Sequence, residues 1–80
     1  MGRVDRGVIE ARRREGERAW DLIRQSGVKR RFVAARLGIS YGYLNQVAYG
    51  YAPLTDVLRA RLSDYLGVPV SELFPGVPAT

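Results

Sequence analysis

Apolar side chains recur along the chain three and four residues apart, which is the spacing of amphipathic helices that share one core. The pattern predicts four helices and a short fifth, over residues 8–26, 30–37, 41–49, 56–66 and 72–74. No segment has a convincing strand pattern. The sequence therefore predicts an all-α fold, a small bundle of four helices plus a short fifth.

Start and stop signals support these boundaries. Each of the four longer helices is followed by a glycine, which tolerates the left-handed geometry that often closes a last turn: Gly27, Gly38, Gly50 and Gly67. A serine or threonine stands at the expected N-cap of each of the last three helices: Ser40, Thr55 and Ser71. The charged first half of the first helix contains Gly16 and few apolar anchors, so we expect it to fray or project from the bundle.

Eighty residues allow one compact core and leave no room for a separate sensing domain. We expect this domain to span residues 8–76, between a flexible arm at 1–7 and a loose tail at 77–80.

Inward-facing positions of the helices predict the core: Ala19, Leu22, Ile23, Val33, Ala34, Leu37, Leu44, Val47, Val57, Leu58, Leu62, Tyr65 and Leu66, with Trp20 beside them. An apolar C-terminal surface either seals this core or forms a dimer contact: Val68, Val70, Leu73, Phe74 and Val77. The first alternative is favoured for Leu73 and Phe74.

The composition excludes several function classes. Cysteine and histidine are both absent, which removes disulfides, thiol catalysis, the usual zinc sites and histidine acid–base chemistry. The eight carboxylates are scattered, and nothing singles out a catalytic pair. We therefore expect no enzyme, no cofactor and no metal. No apolar run approaches the roughly 18 residues of a membrane span, and no signal-peptide pattern occurs, so we expect a cytoplasmic protein.

Positive charge is concentrated at the start of the chain. Residues 1–31 carry ten lysines and arginines against five acids, whereas residues 32–80 carry three of each, so the whole net charge of +5 lies in the first part. This asymmetry fits a polyanionic partner. It equally fits a solvated helix face that aids solubility, and charge alone does not decide between the two. The same choice, contact with flanking DNA or solvation, applies to Arg12, Arg13 and Arg14, for which we favour solvation.

Residues 30–49, RRFVAARLGISYGYLNQVAY, combine the requirements of two short helices that cross at a tight turn. Ala34 supplies a small side chain where the helices touch, and Gly38 supplies the positive φ of the turn. Apolar side chains anchor both helices to the core: Val33, Leu37, Ile39, Leu44 and Val47. This arrangement is typical of a helix-turn-helix.

The segment from residue 24 to residue 74 resembles the phage Cro/repressor-type (XRE-like) helix-turn-helix domain. VAARLGISYGYLNQVAYG and YAPLTDVL are similar to the family's two-helix motif and the proline-bearing loop that follows it, and LGVPVSELF is similar to its closing segment. The resemblance implies a lambda-repressor-like fold. Two departures are evident: the family's frequent ion pair falls on the apolar residues Ile23 and Ala48, and the loop GYAPLT lacks the usual lysine or arginine.

The second helix of this motif is expected to enter the major groove of DNA. The resemblance implies four base-contacting positions, occupied by Tyr41, Gly42, Asn45 and Gln46. Their lack of charge suits this role, because base edges are neutral and are recognised by hydrogen bonds and shape. Asn45 and Gln46 can each contact adenine through two hydrogen bonds, or can simply be solvated.

Backbone contacts are expected from the residues around this helix. Lys29, Arg30 and Arg31 open the preceding helix, where no side chain caps the backbone and a phosphate would offset the unfavourable positive charge. The resemblance assigns a phosphate contact to Arg30. Tyr43, Tyr49 and Tyr51 can reach phosphates; Tyr43 can alternatively pack against the preceding helix, and the other two against the core or a second subunit.

These features predict a sequence-specific regulator that binds double-stranded DNA, a phage-like or mobile-element transcriptional repressor acting as a homodimer on an inverted repeat. The alternative is a protein–protein interaction adaptor that docks through the tyrosine-rich helix face. RNA binding is a weaker third possibility, since base stacking usually uses a sheet or a groove. No membrane association and no small-molecule ligand are expected.

Overall fold

The computed structural model describes residues 5–75, which contain six helices and no strand. The helices are α1 (Arg6–Glu15), α2 (Glu17–Ser26), α3 (Arg30–Leu37), α4 (Tyr41–Ala48), α5 (Asp56–Leu66) and α6 (Val70–Leu73). The all-α bundle is thus confirmed. The number of helices differs from the expected four plus a short fifth, because the first predicted helix is divided in two.

The division falls at Gly16, so the prediction of one continuous helix over residues 8–26 is wrong. Gly16 has φ −96° and ψ 4°, outside regular helical geometry, and it ends α1 and starts α2. It is buried under the side chain of Trp20. The glycine lets the chain turn there, which brings α1 against the rest of the bundle.

Helix α1 is anchored to the bundle at two points instead of fraying or projecting, so that expectation is also wrong. At its C-terminal end, Glu15 forms an ion pair with Arg59 of α5. Closer to its middle, Arg12 donates a hydrogen bond to the carbonyl oxygen of Gly50 (3.5 Å). The helix begins at Arg6 after the N-cap Asp5, earlier than the expected arm at 1–7 allows. The remainder of that arm and the tail at 77–80 lie outside the described residues.

Two of the three predicted N-caps are confirmed. Ser40 Oγ accepts a hydrogen bond from the Tyr43 N–H (3.0 Å), and Thr55 Oγ1 accepts one from the Leu58 N–H (3.2 Å). Ser71 is not a cap, because α6 starts at Val70, two residues earlier than predicted, with Pro69 at the N-cap. The carbonyl oxygen of Pro69 accepts the first backbone hydrogen bonds of that helix, which places Ser71 inside it.

The core contains fifteen buried apolar residues drawn from all helices except α1, and no buried charged residue occurs between residues 5 and 75. Leu73 and Phe74 are almost wholly buried and close the core of their own subunit, as favoured from the sequence. Val57 is 60% exposed, so its predicted place in the core is wrong. Successive helical residues are separated by about 100°, which turns Val57 away from the buried stripe that contains Leu58 and Leu62. Val77 lies outside the described residues.

Candidate nucleic-acid interface

Helices α3 and α4 pack against each other through a short turn at residues 38–40. Gly38 adopts φ 75°, and the Ile39 N–H returns to the Ala34 carbonyl oxygen (3.0 Å). Ala34 is only 2% exposed, as the small contact residue of the motif should be. Arg61 of α5 donates to the Leu37 carbonyl oxygen (3.0 Å) and holds the end of α3 in place. These contacts fix α4 relative to the rest of the bundle.

Helix α4 has one face in the core and one in solvent. Leu44, Val47 and Ala48 are buried. Of the four predicted base-contacting residues, Tyr41, Gly42 and Gln46 are exposed together on the outer face, whereas Asn45 is half-buried. No charged side chain belongs to this helix. The outer face can therefore offer hydrogen-bonding groups and an aromatic ring, without net charge, to a partner.

Asn45 is half-buried because Arg30 holds it. Arg30, at the start of α3, donates a hydrogen bond from Nη1 to Asn45 Oδ1 (3.0 Å). The guanidinium carbon of Arg30 also lies 5.5 Å from the centre of the Tyr49 ring, within cation–π distance. One arginine thus contacts both the middle and the end of α4. The sequence gives no signal for this link. Arg30 lies at the start of one helix and its two partners lie along the next, so only the packing of the two helices brings them together.

Arg31 extends the positive charge beside the outer face of α4, and Lys29 adds a further exposed charge at the start of α3. The guanidinium carbon of Arg31 lies 4.7 Å from the centre of the Tyr41 ring, so the two side chains stack. Lys29 occupies the N-cap position of α3, where no side chain accepts a backbone hydrogen bond. The Phe32 N–H donates to the Lys29 carbonyl oxygen (3.0 Å), whereas the N–H groups of Arg30 and Arg31 have no partner within the described residues and stay available to an anion. The predicted basic cluster and the predicted base-contacting residues lie side by side.

The three tyrosines assigned to backbone contacts differ in their surroundings. Tyr43 is half-buried and packs against the core. Tyr49 and Tyr51 are 50% and 60% exposed, so neither packs into the core of this subunit. Their rings flank Gly50, which is buried and has φ 88°. Both side chains are accessible for contact with phosphates or with a second subunit.

The arginines of α1 are not equivalent. Arg12 is half-buried by its contact with the loop after α4, whereas Arg13 and Arg14 are exposed. The solvated interpretation favoured from the sequence therefore does not hold for Arg12. A Cβ atom at Gly50 would collide with the Ile9 carbonyl oxygen, which shows how closely α1 approaches the loop. Helix α1 consequently supports the position of Tyr49 and Tyr51.

An open groove of about 430 Å³ runs between α1, α2 and the ends of α3 and α4. Its walls carry both signs of charge: Glu10, Glu17 and Asp21 with Arg13, Arg14, Arg24 and Arg30. Trp20 lines its floor, but its Nε1 atom is buried without a hydrogen-bond partner and lies against Gly16. No group of three possible metal ligands occurs in the described part of the chain. This mixed surface is not organised around one ligand.

Ile23 and Ala48 are both buried in the apolar core. None of the helices between residues 5 and 75 combines the length and the apolar character needed to cross a membrane.

We compared the chain with known proteins. No protein-family model, curated protein or solved structure matches it.

Proposed function

We propose that the protein is a sequence-specific double-stranded DNA-binding regulator that places α4 in the major groove. The observation that carries the proposal is the adjacency of two surfaces. Tyr41, Gly42 and Gln46 form an uncharged exposed face, and Arg31 stacks on Tyr41 directly beside it. We assign binding rather than catalysis to this surface.

The two surfaces suit the two chemical parts of DNA. Phosphates attract lysine, arginine and the open N-terminus of α3, and these contacts position the protein without selecting a sequence. Base edges in the major groove carry neutral donors and acceptors, which amide and hydroxyl groups can match. A helix with its side chains is about 10–12 Å across, close to the groove width of about 12 Å. An exposed, uncharged helix beside a basic helix N-terminus is therefore well suited to this target.

We further propose the biological setting implied by the resemblance to the XRE-like family. The protein would act in the cytoplasm as a repressor of phage or mobile-element type, binding an inverted repeat as a homodimer. The two copies of α4 would then lie about 34–36 Å apart, one helical turn of DNA. Exposed Tyr49, Tyr51 and Val70 are available for contacts between subunits.

Selection from a random pool of short duplexes tests the proposal. The wild-type protein should enrich an inverted repeat, and Gln46→Ala should relax the preference at one base pair of each half-site. Gln25→Ala is the matched control, because Gln25 is an exposed glutamine on α2, away from α4. The control should retain the full motif. Failure to enrich any sequence would contradict the proposal.

A protein-interaction adaptor is the second candidate, favoured by the exposure of Tyr49 and Tyr51 on a loop without basic residues. Aromatic side chains are common in protein interfaces. The two functions differ in their salt dependence. Phosphate contacts lose affinity steeply as salt rises, whereas an aromatic interface does not. A partner whose affinity is insensitive to salt, and lost in a Tyr49→Ala, Tyr51→Ala double variant, would favour the adaptor.

A further inference from the structure

We propose that Arg30 determines the base preference of Asn45: it engages the amide oxygen and fixes the amide orientation, so that the NH2 group, left without a protein partner, favours a base edge that accepts hydrogen bonds. The inference rests on the proposed function, because it concerns the same face of α4. It assigns to Arg30 a positioning role in specificity, in addition to any phosphate contact.

The orientation of the Asn45 amide follows from the chemistry of its partner. Arg30 Nη1 lies 3.0 Å from Asn45 Oδ1. A guanidinium has donors and no acceptor, so it can be matched only by the amide oxygen and never by the NH2 group. The Tyr49 ring contacts the same guanidinium at 5.5 Å, which restricts Arg30 on a second side. The arginine therefore holds Asn45 in a single amide orientation.

The NH2 group of Asn45 is left without a partner. Nδ2 makes no hydrogen bond within residues 5–75. It is also not a buried unsatisfied atom, since Trp20 Nε1 alone has that status in the described chain. Nδ2 therefore has access to solvent. Asn45 lies one turn beyond Tyr41 and Gly42, so this donor belongs to the proposed base-contacting face.

An engaged oxygen changes which base Asn45 can recognise. The paired contact with adenine needs both ends of the amide, one accepting from N6 and one donating to N7. Arg30 occupies one of the two lone pairs of the amide oxygen and fixes its direction, so the NH2 group is the better placed to contact a base. An NH2 group matches guanine O6 and N7 or thymine O4. The side-chain amide of Gln46 makes no hydrogen bond within the described residues, and its exposed position leaves both ends free for adenine. The two neighbouring amides should therefore favour different bases.

The test is selection from a random duplex pool with the intact chain. Asn45→Ala first identifies the base pair that Asn45 contacts, because the preference is lost there. At this position the wild-type protein should favour guanine or thymine over adenine. Arg30→Met should shift the preference toward adenine by about fivefold or more, as expected for a gained paired contact. Arg31→Met is the control, since it removes a neighbouring charge that stacks on Tyr41 instead. It should weaken binding to DNA and leave the base preference at the position that Asn45 contacts unchanged.

A second variant does not depend on removing Arg30. Asn45→Asp keeps the link to Arg30 and replaces the outward donor with an acceptor, so the preference should move to cytosine or adenine, whose exposed amino groups donate. Thermal unfolding checks that each variant is folded. The inference is overturned if the wild-type protein already selects adenine at this position, or if Arg30→Met changes the preference no more than Arg31→Met. If no motif is enriched by the wild-type protein, the proposed function fails, and the inference fails with it.

Discussion

The indole of Trp20 fills the space that a side chain at Gly16 would need. A Cβ atom built on Gly16 would lie 2.5 Å from Trp20 Nε1 and 3.1 Å from Leu54 Cδ1. The absence of a side chain at this position therefore allows α1 and α2 to meet over the core. The junction depends on the contact between these two residues as much as on the flexibility of glycine.

Gly16→Ala should lower the free energy of unfolding by about 1–3 kcal/mol, because the added methyl group overpacks a buried site. Urea denaturation followed by circular dichroism measures the change. Gly42→Ala is a matched control, since nothing lies within 4 Å of the Cβ that it adds on α4. Equal effects of the two substitutions would contradict the packing argument.

Gly42→Ala also separates folding from DNA binding. Gly42 is the exposed second residue of α4, so alanine should stabilise the helix by at most about 0.5–1 kcal/mol relative to glycine. If the backbone of α4 approaches the bases at Gly42, the same methyl group should weaken binding to the selected duplex. Parallel measurement of unfolding and of fluorescence anisotropy with labelled DNA checks both effects. Unchanged affinity in the stabilised variant would show that Gly42 is not at the DNA.

The ion pair between Glu15 and Arg59 should anchor α1 to α5. The side chain of Arg59 is 16% exposed and that of Glu15 is 25% exposed, so both charges lose part of their hydration in the folded state. Glu15→Gln should cost about 1–2 kcal/mol of unfolding free energy, because Arg59 keeps its charge with a weaker partner. The matched change is Asp56→Asn, which removes the second carboxylate that pairs with Arg59. The side chain of Asp56 is 96% exposed. This substitution should cost less than about 1 kcal/mol. A larger loss in Asp56→Asn than in Glu15→Gln would refute this assignment.

Helix α5 allows a direct test of which apolar residues form the core. Leu62→Ala should lower the unfolding free energy by about 2–5 kcal/mol, because Leu62 is fully buried. Val57→Ala should change it by no more than about 0.5 kcal/mol, because Val57 is 60% exposed. Thermal unfolding of both variants measures the contrast. A marked destabilisation by Val57→Ala would indicate that another surface covers this residue.

Much of the fold follows from local rules. The caps at Ser40 and Thr55 and the left-handed glycines at 27, 38 and 67 end or begin helices where the sequence predicted. These signals act within one turn, so a single sequence contains them. The break at Gly16 was not predicted, because a lone glycine inside a helical pattern is usually tolerated. The burial of Trp20 beside Gly16, which involves Leu54 from a later loop, can be seen only in three dimensions.

The residues of the candidate site could be predicted from the sequence, but the contacts between their side chains could not. Tyr41, Gly42 and Gln46 are exposed on α4 as expected, since the inward positions of that helix define the outward ones. The bond from Arg30 to Asn45 spans fifteen residues and two helices, and it depends on side-chain conformations that periodicity does not specify. For that reason Asn45 and Gln46 looked equivalent in the sequence and are not equivalent in the structure.

Affinity for DNA as a function of salt and sequence tests the central claim most directly. Anisotropy titrations would compare the selected duplex with a scrambled duplex of equal length and composition, between about 0.05 and 0.2 M salt. We expect at least about a thousandfold preference for the selected duplex, and a log–log salt slope near −2.7 per subunit if Lys29, Arg30 and Arg31 each neutralise one phosphate. Equal affinity for the two duplexes, or affinity that does not change with salt, would contradict the assignment of α4 as a base-contacting helix.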